Sequence, residues 1–373
     1  MRRTGRAICL LGLLYLHGAI ASLAQAEDDS SKVAWRSAEP GWMYEFPRDH
    51  GPHRAFKTEW WYATGTLAGP NGDDFGFQLT FFREGILPGE KSPDTSRFRV
   101  IELPFAHFAL TDSGGRTFRY FQRSSRAAFG EAGFGVPPGR IAWMNDWVLE
   151  QLPSGSLHLK ASEADRSVDL TLEVERPPLI HGHDGISPKS YAKGHASHYY
   201  SLTRLKASGT VVVDGKSHAV NGLVWFDHEW ATNQLEVDQS GWDWSGLHLS
   251  SGDDLMLFRI RDKEGKAVFS SATLRESSGK VSEPTDFEMK PVGSWKSPHT
   301  GGCYPAAWEI TLPSSALRLS LRAVLPDQEL VLSPFAYWEG MVTGSGSLNG
   351  NECKAEGYLE MTGYGGKILG LSQ

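Results

Sequence analysis

Residues 209–230 read GTVVVDGKSHAVNGLVWFDHEW, and the fold is read outward from this stretch. The β-branched run Thr210-Val211-Val212-Val213 meets Asp214-Gly215, then an apolar return run ends at Trp230. Asp-Gly between two such runs is a hairpin signal, because both turn residues can take positive φ. Gly222 in the return run predicts a bend or a close backbone approach. The spacing recurs: Gly209, Gly215 and Gly222 are matched by Gly344, Gly350 and Gly357, with Asn349-Gly350 at the second turn. A second pair of matches precedes the hairpins in the same order. Trp61-Tyr62-Ala63-Thr64-Gly65 is similar to Trp242-Asp243-Trp244-Ser245-Gly246, and Gly72-Asp73-Asp74 to Gly252-Asp253-Asp254. We read an internal duplication.

Strand-like runs cover Trp60 to Leu67, Phe75 to Arg83, Val100 to Leu110, Ser167 to Glu175, Leu255 to Ile260 and Trp308 to Leu312. Turns rich in Gly, Asp, Asn and Ser separate them, and long helix-period stretches are missing. The expectation is an all-β protein of two tandem antiparallel β-barrels. Their expected extents are residues 27–234 and 235–373, after a signal peptide at 1–26.

The end of the first hairpin carries the chemistry. Trp225-Phe226-Asp227-His228-Glu229-Trp230 sets three ionisable groups in a strand that otherwise reads as buried. Such burial costs on the order of a few kcal/mol per group unless the charge is paired or used. Alternation puts Asp227 and Glu229 on one face with Trp225, and His228 on the other with Phe226 and Trp230. In the second copy Thr362, Gly363 and Tyr364 hold the corresponding positions, and only His248 and His299 of the thirteen histidines follow residue 240. The chemistry is therefore expected on the first barrel, with the second as support or wall.

Bulk properties narrow the function. Arg2, Arg3 and Arg6, the apolar run Ala7 to Leu16 and Ala24-Gln25-Ala26 form a signal-peptide pattern, too short to span a bilayer. The expectation is a periplasmic or secreted chain of 373 − 26 = 347 residues after cleavage near Ala26. Three fewer arginines leave 37 − 3 = 34 basic against 44 acidic residues, a poor surface for nucleic acid. Cys303 and Cys353 leave one disulfide and two separate thiols as open alternatives.

Several chemistries are absent. There is no Gly-x-Ser-x-Gly elbow, phosphate loop or Cys-x-x-Cys pair, and Thr232 stands where a zinc-protease helix would need its second histidine. His181, His183, Asp184, His195 and His198 lie in the Pro- and Gly-rich segment 176–198 without regular spacing. They are read as loop polarity on a lid-like connection rather than a metal site. No cofactor is expected.

His53, Lys57-Thr58-Glu59-Trp60-Trp61-Tyr62 and Phe75-Gly76-Phe77-Gln78-Leu79-Thr80-Phe81-Phe82-Arg83 open a longer series of motifs. It continues through Ser197-His198-Tyr199-Tyr200-Ser201, the Asp227-His228-Glu229 segment, Gly241-Trp242-Asp243-Trp244, Tyr337-Trp338-Glu339-Gly340 and Gly357-Tyr358-Leu359-Glu360-Met361-Thr362-Gly363-Tyr364. This series resembles the AttH and carotenoid 1,2-hydratase (CrtC) family over nearly the whole mature chain. The resemblance implies two lipocalin-like (calycin) barrels, hydratase-type activity or a secreted-hydrolase assignment, and for exported members a link to an envelope ABC-type export system.

A lipocalin-like barrel holds apolar molecules in a cup of inward-facing side chains. Water addition to an isolated C=C bond needs a dry, protonated acid and aromatic faces to stabilise the cation. Asp227, Glu229 and Asp243 are the candidate acids, and His228 the candidate water holder. Trp61, Trp230 and Trp242 are the candidate aromatic wall, with Glu59 and Tyr199 as further ligand contacts. Structural roles stand beside these: carboxylates closing the barrel, and Glu59 ion-paired with an arginine such as Arg83. Two functions remain open at this point. One is an exported protein that binds a lipid or isoprenoid-like ligand and hydrates or isomerises it. The other is a non-enzymatic lipid carrier, with a secreted hydrolase as a third reading.

Overall fold

The computed structural model describes residues 34–70, 72–88, 100–332 and 335–365. Residues 1–26, where a signal peptide is expected, lie outside the described residues. Helical structure among these is confined to three 3₁₀ turns, at Arg48–His50, Ala128–Gly130 and Pro313–Ser315. The rest is antiparallel strand and turn. One sheet runs, edge to edge, Thr117–Ser124, Glu102–Asp112, Asp74–Gly85, Thr58–Ala68, Lys216–Ala231, Ala196–Val213, Arg166–Val174, Leu157–Glu163, Trp147–Gln151, Gly139–Met144, Ala132–Phe134. A second runs Val281–Ser282, Ala267–Arg275, Asp254–Asp262, Gln239–Leu249, Asn351–Thr362, Ala336–Leu348, Leu317–Ala323, Ala307–Leu312, Glu288–Val292.

The two sheets repeat one topology. In each, the first strand pairs with the last, and the last two strands form a long hairpin. The hairpin turns have positive φ at both central residues: 50° and 73° at Asp214-Gly215, 51° and 79° at Asn349-Gly350. This is the twist that a tight hairpin requires. An added Cβ at Gly222 would collide with the Thr66 carbonyl oxygen, and one at Gly357 with that of Gly246. These partners are 180 residues apart (246 − 66), as are Leu67 and Leu247, the residues paired with the two glycines. The register corrects one sequence match. Trp61 and Trp242 are 181 residues apart, so the match is slipped by one, and a slip of one exchanges the faces of a strand. Trp61 therefore points into the first barrel, whereas Trp242 points out of the second.

Each sheet curls around its own apolar core. Phe77, Leu79, Phe108, Leu149, Leu170 and Phe226 are among those filling the first, and Leu257, Ile310, Leu321, Val342 and Leu359 the second. Closure of the first sheet is made by side chains. Arg123, on the edge strand Thr117–Ser124, reaches the far limb, where it ion-pairs with Asp146 (2.5 Å) and Glu163 (2.7 Å) and covers the Trp147 ring. Buried apolar and aromatic side chains occupy the interior of the first barrel, where a ligand cup was expected. Cys303 is exposed and Cys353 buried; both are free thiols.

The outer faces of the two sheets meet. Tyr62, Tyr199 and Trp225 pack with Trp244, Met256, Met341 and Tyr358. Gly76 permits the closest approach: a Cβ there would lie 2.7 Å from the Tyr358 hydroxyl and 2.9 Å from Met341 Cβ. Buried Asp254 ties the sheets electrostatically, accepting from Arg176 (2.7 Å), Arg204 (2.7 Å) and Thr203 (2.8 Å).

Candidate active cleft between the barrels

The strand of Trp225 to Trp230 divides its three ionisable groups between two environments. His228 turns into the first barrel; Asp227 and Glu229 turn outward toward the second sheet. The outward face, with parts of the second sheet, lines a cleft of about 90 Å³. It is a narrow slot. Trp60, Phe82, Phe105, Trp242, Trp244 and Phe258 supply aromatic walls, and Tyr62, Tyr199 and Tyr337 their polar edges.

Besides Glu59, which is paired with Arg83, and Glu84, four carboxylates line this slot: Asp227, Glu229, Glu339 and Glu360. Lys189 faces them, its Nζ 2.7 Å from Glu229 Oε1 and over the rings of Tyr199 (5.0 Å) and Phe258 (4.5 Å). With so little positive charge and so little water, the other three acids resist ionisation. Burial, reinforced by the Glu229 charge, pushes Asp227 up to about 7, against the hydrogen bonds of Ser201 and Trp225. Burial and Glu229 likewise raise Glu360 to about 7, and burial with Glu360 raises Glu339 well above the usual carboxylate range. The Ser201 hydroxyl (2.5 Å) and Trp225 Nε1–H (2.7 Å) both donate to Asp227 Oδ1. Tyr199 is a third hydrogen-bond partner of this carboxyl. Glu229, two residues along the same strand face, lies about 6.6 Å further on by strand rise.

The inward face is a separate, closed network. Glu59 accepts from Arg83 Nε (2.9 Å), from the His53 backbone N–H (2.9 Å) and side chain (2.7 Å), and contacts His228 Nε2 at 3.0 Å. Burial opposes its charge, but the His228 and His53 contacts and Arg83 hold Glu59 well below the usual range. His228 Nδ1 also meets the Asp49 carbonyl (2.9 Å), and burial keeps its imidazole below the ordinary value. His53 stacks on Trp230 at 3.6 Å, and Trp61 on His228 at 4.6 Å. His53, Glu59 and His228 have the composition of a metal site, their ligand atoms all within 4.8 Å. Here Arg83 already supplies positive charge to Glu59.

These placements revise the expected site. Asp227, Glu229, Tyr199 and Trp242 line the cleft, and Glu59 borders it while its carboxylate is spent on Arg83 and the histidines. His228, Trp61 and Trp230 belong to the packed interior of the first barrel, because the strand's alternation sends them there. Asp243 points into the second barrel, held by Arg259 (2.6 Å), Arg261 (3.1 Å) and the Tyr364 hydroxyl (3.0 Å); it is a structural anion. The second barrel is more than a wall, since it contributes Glu339 and Glu360. Both sit in apolar strand runs, Tyr337-Trp338-Glu339 and Leu359-Glu360-Met361, the same signal that singled out Asp227. Lys189 had no such signal, because it comes from the long connection 176–198. The histidines of that connection are dispersed: His181 is buried between Ser201 (2.6 Å) and Thr273 (3.0 Å), while His183 is exposed.

Both barrels have solved counterparts. A Nitrosomonas europaea protein described as an AttH superposes with a TM-score of 0.79 at 32% identity, over 88% of this chain and 99% of that one. Kievitone hydratase from Nectria haematococca superposes at 0.67 with 15% identity, over 89% and 98%, and CghA at 0.50 with 12%, over 91% and 98%. No match was found among curated protein sequences. The tandem barrels are lipocalin-like, as these neighbours are. The AttH-like family profile matches residues 37–364, spanning both barrels and every wall of the cleft, and the chain belongs to the AttH-like family.

Proposed function

We propose that this protein binds an apolar, isoprenoid-like ligand in the slot between its barrels and adds water across a C=C bond. The observation that carries this reading is Asp227: a fully buried carboxyl, pushed up to about 7 by burial, lining the same cleft as Trp60, Trp242 and Trp244. Protonated Asp227 transfers its proton to one alkene carbon, leaving a carbocation at the other. The faces of Trp60, Trp242 and Trp244 stabilise that charge, worth about 1–2 kcal/mol per well-placed ring. Water attacks the cation, Glu229 takes the proton the water releases, and that proton returns to Asp227. The net change is alkene plus water to alcohol. Lys189 gives Glu229 a positive partner beside acids whose protonated form burial favours. That is the division of roles acid–base catalysis needs.

The kievitone hydratase likeness supports a fold able to house such chemistry; the reaction is inferred from the slot itself. The residues of 1–26 support export, which amino-terminal sequencing of protein recovered outside the cytoplasm would check. The test of function is incubation with prenylated alkenes in ¹⁸O-water, followed by mass spectrometry. Asp227→Asn and Glu229→Gln should retain ligand and lose at least about 100-fold in turnover. Ligand binding with no ¹⁸O incorporation by the wild type would leave a carrier protein instead.

A further inference from the structure

One end of the slot has hydrogen-bonding capacity that the protein does not satisfy. Gln78 is fully buried; its Nε2 donates to the Thr80 hydroxyl, and its Oε1 has no partner. Glu339 is fully buried too. The Tyr62 hydroxyl donates to its Oε1 at 2.6 Å, and its Oε2 has no partner. Register brings these groups together. Gln78 pairs with Thr64 and Thr80 with Tyr62, which reaches Glu339 across the slot. His107, paired with Thr80, backs this end: its Nδ1 bonds the Tyr337 hydroxyl at 2.7 Å and its Nε2 has no partner. Tyr337 shares a strand face with Glu339.

A buried polar atom without a partner is costly, so two lining one slot call for an occupant. The inventory says which kind. Gln78 Oε1 can only accept. Burial and the Glu360 charge favour the protonated form of Glu339, and because Oε1 already accepts from Tyr62, its Oε2–H is free to donate. An acceptor and a donor lining the same slot are the complement of a hydroxyl group, which gives one hydrogen bond and receives one. We propose that Gln78 and Glu339 form a specificity subsite for a ligand hydroxyl, so that the natural ligand is an apolar chain or ring system bearing an alcohol or phenol, not a pure hydrocarbon. This rests on the slot being the ligand site. It separates the polar anchor (Gln78, Glu339) from the reacting end (Asp227, Glu229), and fixes the ligand's direction in the slot.

The experiment uses farnesol, farnesyl methyl ether and farnesene as probes, with binding read from quenching of tryptophan fluorescence. Trp60, Trp242 and Trp244 report from the slot walls. Wild type should bind farnesol at least about tenfold more tightly than either analogue, since each analogue leaves Gln78 Oε1 buried without a donor. In Gln78→Leu the selectivity should fall to about one, chiefly by tighter binding of farnesene. Equal affinity of all three probes for the wild type overturns the subsite and assigns the unmet groups to bound water, whether or not the variant folds. Unchanged selectivity in folded Gln78→Leu also overturns it. Failure of all three to bind sinks the slot as ligand site, and the subsite with it.

Discussion

Asp227→Asn should leave stability unchanged in acid and raise it at alkaline pH. In the folded protein burial pushes the Asp227 carboxyl up to about 7, against 3.8 for a free aspartate side chain. Between these two values the folded chain holds a proton that the unfolded chain has released. Stability therefore falls as pH rises through this window and is flat above it. The difference, 7 − 3.8 = 3.2 units, is worth about 4 kcal/mol at 1.36 kcal/mol per unit. Asparagine reproduces the protonated acid: its Oδ1 can accept from Ser201 and Trp225 as the carboxyl does, and its amide N–H replaces the acid O–H. Near pH 4 the variant should match the wild type. At pH 8 it should be more stable by up to about 4 kcal/mol, less whatever Glu339 and Glu360 absorb by coupling to the same proton. Urea denaturation of both proteins from pH 4 to 9 measures this directly. A variant destabilised by the same amount at every pH, or increasingly destabilised toward pH 9, would refute a buried neutral acid at this position.

On its alkaline limb a pH–rate profile should follow the same group in the sense an acid catalyst requires, turnover being lost as pH rises through about 7. Lys189→Met, which removes the cation beside Glu229, should lower turnover by about 100-fold while circular dichroism shows the fold intact; undiminished turnover would remove Lys189 from the mechanism. Glu59→Gln should cost about 3–5 kcal/mol by stranding Arg83 and His53 in the first barrel, read as a fall in denaturation midpoint. Gly76→Ala places a methyl against Tyr358 and Met341 and should cost about 1–3 kcal/mol. Both measured as near zero would mean that the inner network and the contact between sheets are looser than described.

The duplication, the two hairpin turns and the all-β class could be read from the chain, because glycine spacing and strand alternation are local properties. So could the anomaly at Asp227-His228-Glu229, and the reading of Glu59 as a partner of Arg83 is met at 2.9 Å. Alternation even gave the faces on which those three residues lie. It could not say what each face meets. A barrel interior was expected to be the ligand cup, but that interior is filled with Trp61, Trp230, His228 and their neighbours. The slot lies outside it, where two outer faces approach. That approach depends on pairs such as Gly76 with Tyr358, and Tyr62 with Glu339, 277 residues apart in the chain. The protonation of Asp227 is likewise a tertiary fact. Sequence supplied four carboxylates and one lysine, and only their common burial, with water excluded by a second sheet, holds the acids neutral.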